Sequence, residues 1–342
     1  MPEADRAVPA TLITGFLGSG KTTLLNGLLA HPGMADTAVI VNEFGEIGLD
    51  HLLIETAFED AVLLKSGCIC CTVRGDLVDT LAGLAARRQS GAIAPFSRVV
   101  IETTGLADPA PILHTLMAEP ALAPLYRLDR VVTTVDAANA LAQFDAHFEA
   151  AKQAAVADRI VLTKTDLVTA PVAAQVMARL AALNPDAPVV VAIQGRIEPD
   201  ALFAPAPPRD RLAVTAALGH GHHDHGHADD AAHLAHHHGI STVALVHDAP
   251  VSWPALSAWL GAVASLKGPD LLRVKGIVNV AGRAGPVVIH GVQHVFHPPV
   301  ERARWPDGDR RTRMIFITRN IAASTLAKSF AAAVADANET PP

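Results

Sequence analysis

Short runs of apolar, mainly β-branched residues alternate with helical patterns through the first two hundred residues of this chain. The runs lie at residues 11–14, 37–41, 61–64, 98–102, 130–135, 159–163 and 188–193. They are almost continuously apolar, as expected for strands that are buried on both faces. Helical patterns lie between them, at residues 21–30, 75–89, 137–157 and 172–183. This alternation predicts an α/β fold with a largely parallel sheet and right-handed crossovers.

The segment GFLGSGKTT, residues 15–23, matches the P-loop pattern G-x-x-x-x-G-K-[ST] and lies between a predicted strand and a predicted helix. Its glycines let backbone N–H groups turn inward around phosphate oxygens at a helix N-terminus. The lysine is expected to reach the β- and γ-phosphates, and the threonine hydroxyl after it to ligate Mg²⁺. The predicted nucleotide-binding residues here are Gly15, Gly18, Ser19, Gly20, Lys21, Thr22 and Thr23.

A carboxylate follows a second buried strand, in the segment VVIETTG at residues 99–105. Glu102, at the end of a central strand, is expected to hold Mg²⁺ through water, and the Gly105 N–H to meet the γ-phosphate. The predicted catalytic residues are therefore Lys21, Thr22 and Glu102.

The segment TKTD, residues 163–166, follows the strand RIVL and resembles the N-K-x-D guanine-recognition motif of GTPases. Asp166 is expected to accept hydrogen bonds from guanine, and the Lys164 stem to pack on the base. Thr163 stands where that motif has asparagine, and its hydroxyl supplies only part of the bonding of an amide. GTP is favoured over ATP, because a buried carboxylate facing adenine would lack donors.

The three cysteines of the chain, Cys68, Cys70 and Cys71, lie within four positions. They are too close together for a good structural disulfide, and no partner cysteine lies elsewhere in the sequence. In an extended chain, Cys68 and Cys70 would point to one face, where two thiolates begin a tetrahedral soft-metal site. The polar loop NEFGEIGLD, residues 42–50, offers Glu43 and Glu46 as further ligands. Buried inert thiols and a redox or nucleophilic role are the alternatives.

Taken in order, the P-loop, NEFGE, GCICC, ETTG and TKTD resemble the CobW family of metal-handling GTPases, relatives of UreG and HypB. The segments LLRVKGIVNV and VQHVFHPP extend the resemblance into the C-terminal half. It implies a GTP-dependent metallochaperone that binds Zn²⁺ or Co²⁺ at the cysteine motif and delivers it to a client metalloprotein or metal-cofactor enzyme. A nucleotide-dependent homodimer is a further predicted assembly.

A proline-rich and then histidine-rich stretch separates two differently patterned regions. We predict a P-loop GTPase domain over residues 1–203, a linker over 204–238 and a small α+β domain over 239–342. The linker histidines are expected to form weak, exchangeable metal sites. The predicted secondary ligands are His220, His222, His223, His225 and His227.

Three further histidines lie in the segment VIHGVQHVFH, residues 288–297. Read as one strand, it places His290 and His294 on one face and His297 on the other. Isolated histidines on a strand are usually satisfied surface or core groups, so no metal role is assigned to them.

The leading hypothesis is a cytoplasmic GTPase in which Mg²⁺·GTP orders the Glu43–Glu46 loop and hydrolysis releases the metal. Glu46 is one candidate for orienting the hydrolytic water. The alternative is a metal store or sensor with incidental nucleotide turnover; a P-loop kinase would leave TKTD unexplained. The formal net charge of −7 argues against nucleic acid as a partner. No run of about eighteen apolar residues predicts a membrane span.

Overall fold

The computed structural model describes residues 7–42, 62–63, 69–73, 77–204 and 237–339. The chain divides into two compact units. Among the described residues, the first unit contains 7–177 and 187–204, and the second contains 178–186 and 237–339. The predicted linker lies mostly outside the described residues, so the predicted domain boundaries stay predictions.

An eight-stranded sheet forms the centre of the first unit. Its strands are β1 (Val8–Gly15), β2 (Thr37–Asn42), β3 (Val62–Leu63), β4 (Ile69–Val73), β5 (Arg98–Thr103), β6 (Tyr126–Asp136), β7 (Arg159–Thr163) and β8 (Val189–Ala192). The order across the sheet is β3-β4-β2-β5-β1-β6-β7-β8. Every neighbouring pair is parallel except β3 with β4. The predicted α/β class with a largely parallel sheet is confirmed.

The helices of this region follow the strands in sequence. They are α1 (Lys21–Leu29), α2 (Leu77–Gln89), α3 (Pro109–Ala118), α4 (Ala140–Ala146), α5 (Phe148–Val156), α6 (Ala170–Leu183) and α7 (Pro199–Phe203). Side chains from α1 and from the strands beside it form a fully buried cluster that includes Ile13, Leu24, Leu28, Val100 and Val132. Leu12 of β1, which points to the opposite face from Ile13, is also fully buried. Burial on both faces of the sheet explains why this strand is almost continuously apolar.

Two local predictions in this unit were wrong. The apolar run at 61–64 was predicted as a strand of the parallel sheet, but its described residues, Val62 and Leu63, pair antiparallel with the strand Ile69–Val73, which the prediction missed. The helical pattern at 137–157 is interrupted at His147, whose backbone is extended (φ −129°, ψ 115°). Strand pairing depends on distant partners, which explains the first error.

The second unit contains an antiparallel sheet with the order β12-β11-β10-β14-β9, and β13 pairs with β11. Its strands are β9 (Ile240–His247), β10 (Leu271–Val278), β11 (Val287–Val292), β12 (Val295–Phe296), β13 (Val300–Glu301) and β14 (Thr312–Arg319). Helices α8 (Trp253–Lys267) and α9 (Ala323–Glu339) share a buried cluster with this sheet, in which Trp259 meets Phe316 and Phe330 edge-on. The predicted α+β character of this region is confirmed.

The segment read as one strand at 288–297 is a hairpin. Its turn contains Gln293 in a left-handed conformation (φ +53°), and Gly291 pairs with Phe296 across it. The predicted side-chain parity was therefore wrong. His290 and His297 are cross-strand neighbours with ring centroids 6.1 Å apart, and the His297 N–H donates to the His290 carbonyl.

Candidate functional site: a phosphate-binding loop at the carboxyl ends of the strands

The candidate site lies at the carboxyl ends of four adjacent strands, β5, β1, β6 and β7. In-register pairing places Ile13 beside Glu102, and the end of β1 beside Thr134 of β6. Asp136 at the end of β6 lies beside Thr163 at the end of β7. Ligands of parallel α/β sheets bind at this edge, so the fold gathers the predicted nucleotide-binding segments that the sequence separates.

The P-loop backbone takes conformations that require glycine. Gly15 (φ +146°), Gly18 (φ +70°) and Gly20 (φ +90°) all have positive φ values, which side chains with a Cβ adopt only under strain. A Cβ on Gly15 would also lie 2.2 Å from the Thr134 hydroxyl oxygen. The loop is therefore a backbone cradle of the kind that binds phosphate oxygens.

The loop is tied to the sheet through Ser19 and Thr134. Ser19 is 1% exposed and its hydroxyl lies 2.6 Å from the Thr134 hydroxyl. The sequence analysis predicted Ser19 as a nucleotide-binding residue, and the structure gives its side chain this buried contact. Thr134 was missed, although its polar side chain interrupts an apolar strand.

Lys21 begins α1 and lies almost buried, 8% exposed, over the loop. Its ammonium group donates to the carbonyl oxygens of Gly15 (2.8 Å) and Phe16 (3.2 Å). These bonds hold the positive charge at the mouth of the cradle, where a lysine interacts with the β- and γ-phosphates in P-loop proteins. Thr23, two residues further along α1, is exposed.

Thr22 and Glu102 lie together beside the cradle. The Thr22 hydroxyl donates to the Glu102 carboxylate at 2.9 Å, and Glu102 is 5% exposed. A hydroxyl and a carboxylate are hard oxygen donors, the type that Mg²⁺ prefers. The pair therefore fits the predicted magnesium site, and tertiary folding brings together residues 80 positions apart.

Gly105 follows β5 and lies directly against the P-loop. A Cβ at Gly105 would be 2.8 Å from both the Leu17 Cα and the Leu17 backbone N. A Cβ atom does not come this close to non-bonded backbone atoms, so the close approach of the two backbones requires glycine. The segment predicted to sense the γ-phosphate therefore contacts the loop that is predicted to bind it.

The predicted base-recognition segment begins at the end of β7. The buried Thr163 hydroxyl donates to the Ser19 carbonyl at 2.8 Å and lies 3.2 Å from the Val135 carbonyl. It therefore braces the P-loop instead of facing a base. Asp166 lies in a short 3-10 helix, Thr165–Leu167, and is exposed.

Lys164 has a left-handed backbone (φ +54°), and its ammonium group pairs with Asp136 at 2.7 Å. Burial of Asp136, 1% exposed, raises the pKa of its carboxyl. Hydrogen bonds from Lys164, Asn139 and the Ala138 N–H, together with the Lys164 charge, outweigh burial and bring that pKa below its usual value. The sequence analysis missed Asp136, although a lone carboxylate ending an apolar strand is a recognisable signal.

The predicted transition-metal ligands lie largely outside the described residues. These are Cys68, Glu43, Glu46 and the linker histidines His220, His222, His223, His225 and His227. Cys70 and Cys71 lie on β4, in register with Val39 and Ile40 of β2. Within the described ranges no three or more His, Cys, Asp or Glu residues group as a metal site. The transition-metal site therefore stays a prediction.

Across the same ranges, no helix combines the length and apolar character that crossing a membrane requires.

The fold, the glycine cradle, Lys21 over it and the Thr22–Glu102 pair define a P-loop nucleotide-binding protein.

Two family models match the chain: "CobW/HypB/UreG, nucleotide-binding domain" over residues 9–191, and "Cobalamin synthesis protein cobW C-terminal domain" over residues 240–334. The chain belongs to the CobW/HypB/UreG family, as its motifs predicted.

Similar proteins extend along the whole chain. The zinc chaperone YjiA of Escherichia coli is 34% identical over 324 residues, which cover 95% of this chain and 98% of that protein. The zinc chaperone CobW of Pseudomonas aeruginosa is 31% identical over 364 residues, covering 96% and 92%. A crystal structure of the Zn(II)-bound YjiA GTPase has a TM-score of 0.73 and 31% identity, with 95% of this chain and 98% of that chain covered.

Proposed function

We propose that this protein is a GTPase that acts as a zinc chaperone: it binds GTP at the P-loop, binds a transition metal at the cysteine motif, and delivers that metal to a client. One observation carries the coupling of these two activities. Strand β4, which contains Cys70 and Cys71, belongs to the nucleotide-binding sheet and is separated from β5 only by β2. Strands lie about 4.8 Å apart, so β4 is roughly 10 Å from β5, which contains Glu102.

The nucleotide half of the proposal rests on the described site. The glycine cradle and Lys21 bind the β- and γ-phosphates, and Gly105 brings its backbone against the same loop. Thr22 and Glu102 would hold Mg²⁺, which supplies charge that stabilises the phosphoryl transition state. Asp166 is exposed to accept from guanine, while the Lys164–Asp136 pair fixes the lysine whose stem is proposed to pack on the base.

The metal half rests on the sequence and on the named relatives. Thiolates of Cys68 and Cys70 suit Zn²⁺, and Cys71, Glu43 and Glu46 are the further candidate ligands. YjiA and CobW are named zinc chaperones, which favours Zn²⁺ as the cargo; Co²⁺, the other predicted metal, is also the useful spectroscopic substitute. The bound metal is released when hydrolysis removes the γ-phosphate that orders the loop after β2. The client and the nucleotide-dependent homodimer stay predictions.

A Co²⁺ titration with and without Mg²⁺ and a non-hydrolysable GTP analogue tests the proposal. If nucleotide and metal sites are coupled, the analogue will tighten Co²⁺ binding by about 5- to 150-fold, and Co²⁺ will tighten analogue binding by the same factor. Thiolate ligation will appear as a charge-transfer absorption, which Cys68→Ser or Cys70→Ser removes while nucleotide binding without metal is retained. Equal Co²⁺ affinity with GTP analogue, GDP or no nucleotide would favour the store or sensor instead.

Deletion of residues 220–236 is the matched control for the tight site. It removes seven histidines of the linker and leaves the turn His237–Gly239 intact. The Gly239 carbonyl of that turn accepts from the Asn320 N–H at 2.8 Å. The deletion should lower the number of weakly bound ions and leave both the charge-transfer band and GTP turnover unchanged. Loss of the tight site on deletion would place the metal centre in the linker.

A further inference from the structure

Helix α5 contacts the segment that follows β5 through two consecutive residues, Lys152 and Gln153. Gln153 is completely buried, and its side-chain amide donates to the carbonyls of Gly105 (3.2 Å) and Ala107 (3.0 Å). Lys152, whose side chain is 10% exposed, pairs with Asp108 at 2.6 Å. Two neighbouring side chains of one helix therefore hold residues 105–108.

The direction of the Gln153 amide follows from the chemistry of its partners. Two carbonyl oxygens accept only, so the NH₂ end of the amide must face them. Its Oε1 is then buried without a hydrogen-bond partner among the described residues. A buried acceptor left in this state costs about 1–3 kcal/mol. An apolar side chain at this position would avoid that cost and stabilise the core better. The presence of an amide therefore favours a role in holding residues 105–108.

The helix is itself fixed to the nucleotide-binding sheet. The Thr133 hydroxyl of β6 donates to the Gln153 backbone carbonyl at 2.8 Å. At the N-cap residue of the helix, the His147 ring stacks on Phe16 of the P-loop, with ring centroids 4.7 Å apart and an interplanar angle of 26°. Helix α5 therefore contacts both the phosphate-binding loop and the segment after β5.

These bonds orient the peptide groups at Gly105. The Thr104 carbonyl accepts from the Ala107 N–H at 3.1 Å, and the Gly105 carbonyl accepts from Gln153. In a trans peptide the N–H points opposite to the carbonyl. The Gly105 N–H therefore points away from the group that binds the Thr104 carbonyl, and the Leu106 N–H points away from Gln153. Gly105 itself lies against the P-loop at Leu17.

We infer that Gln153 is a positioning residue for GTP hydrolysis: it holds the backbone after β5 in the orientation that binds the γ-phosphate, and Lys152 supports it through Asp108. The inference rests on the proposed GTPase function and extends it to a residue outside the known motifs. Because GDP lacks the γ-phosphate, loss of this positioning should affect GTP turnover and leave GDP binding to the P-loop intact.

Gln153→Met tests the inference, because methionine keeps the length of the side chain and fits an apolar site but donates no hydrogen bond. We expect kcat for GTP to fall about 10- to 100-fold, as for a displacement of about 1 Å. The Kd for GDP should not change. Gln175→Met, at an exposed glutamine of α6, is the matched control and should keep the parent kcat.

Gln153→Leu is the second variant, because leucine also fits an apolar site and donates no hydrogen bond; it should show the same split. An unchanged kcat in either folded variant would overturn the inference, as would a parallel loss of GDP affinity, which marks a merely structural role. If neither variant folds, Lys152→Met decides: a kcat equal to that of the parent overturns the inference. If the unsubstituted protein does not hydrolyse GTP, the proposed function fails too; if it does, only the role of Gln153 is at stake.

Discussion

Replacing Gly105 by alanine tests how closely the segment after β5 must approach the P-loop. The added Cβ would lie 2.8 Å from the Leu17 Cα and backbone N, and 2.7 Å from the Leu17 Cδ2. Carbon atoms make favourable contact at about 3.5–4.0 Å, so the two backbones must separate by roughly 1 Å. The flexible leucine side chain can move aside, but the two backbones cannot relax independently of the site.

A misplacement of about 1 Å at a reacting centre lowers a rate by about 100-fold, which corresponds to about 2.7 kcal/mol in the activation free energy. Gly105→Ala is therefore expected to lower kcat for GTP by about two orders of magnitude. Steady-state phosphate release at saturating Mg²⁺·GTP measures this value. GDP affinity, measured by calorimetry, should change far less, because Gly105 is predicted to contact only the γ-phosphate.

Gly83→Ala is the matched control, since Gly83 lies within α2 and a Cβ there would meet nothing within 4 Å. It should leave turnover unchanged and stabilise the fold by about 0.4–1 kcal/mol, because alanine restricts the unfolded chain. Turnover of Gly105→Ala within twofold of the parent would refute the argument that this backbone contact sets the γ-phosphate geometry.

Three further outcomes are expected. Lys21→Ala should abolish measurable nucleotide binding, because Lys21 supplies the positive charge over the cradle; near-normal GTP turnover in the folded variant would contradict the P-loop assignment. Thr163→Val removes the hydroxyl that donates to the Ser19 carbonyl. Losing this hydrogen bond, worth about 0.5–1.5 kcal/mol, should weaken GTP and GDP binding alike without changing the preference for guanine over adenine. A changed base preference in competition assays would show that Thr163 reads the base. The pKa of Asp136 is lowered on folding through its pairing with Lys164, so its stabilising contribution is present above the usual pKa of 3.8 and is lost as the pH falls through the lower folded value. Urea unfolding between pH 2 and 6 should therefore show a shallower loss of stability at acid pH for Asp136→Asn, and identical slopes would exclude this contribution.

The sequence by itself determined the features that depend on local chemistry. The P-loop needs glycines at fixed spacing between a strand and a helix, so its position, the run of residues 15–23 and the α/β class were all predicted from neighbouring residues. Glu102 was predicted for the same reason, because it is a carboxylate at the carboxyl end of an apolar strand. In the C-terminal half, the sequence predicted an α+β region over residues 239–342, and family membership followed from the motifs.

Only the tertiary structure decided which distant residues meet. The Ser19–Thr134 bond joins residues 115 positions apart, and Gln153 meets Gly105 across 48 positions. Neither contact leaves a periodic signal in the sequence, because a lone polar residue in an apolar stretch has many alternative partners. The same limit applies to strand pairing. The short antiparallel strand Val62–Leu63 depends on its partner strand, and the hairpin that brings His290 beside His297 depends on one turn residue, Gln293. Local patterns therefore predicted the elements that bind nucleotide, and non-local packing decided how those elements are braced.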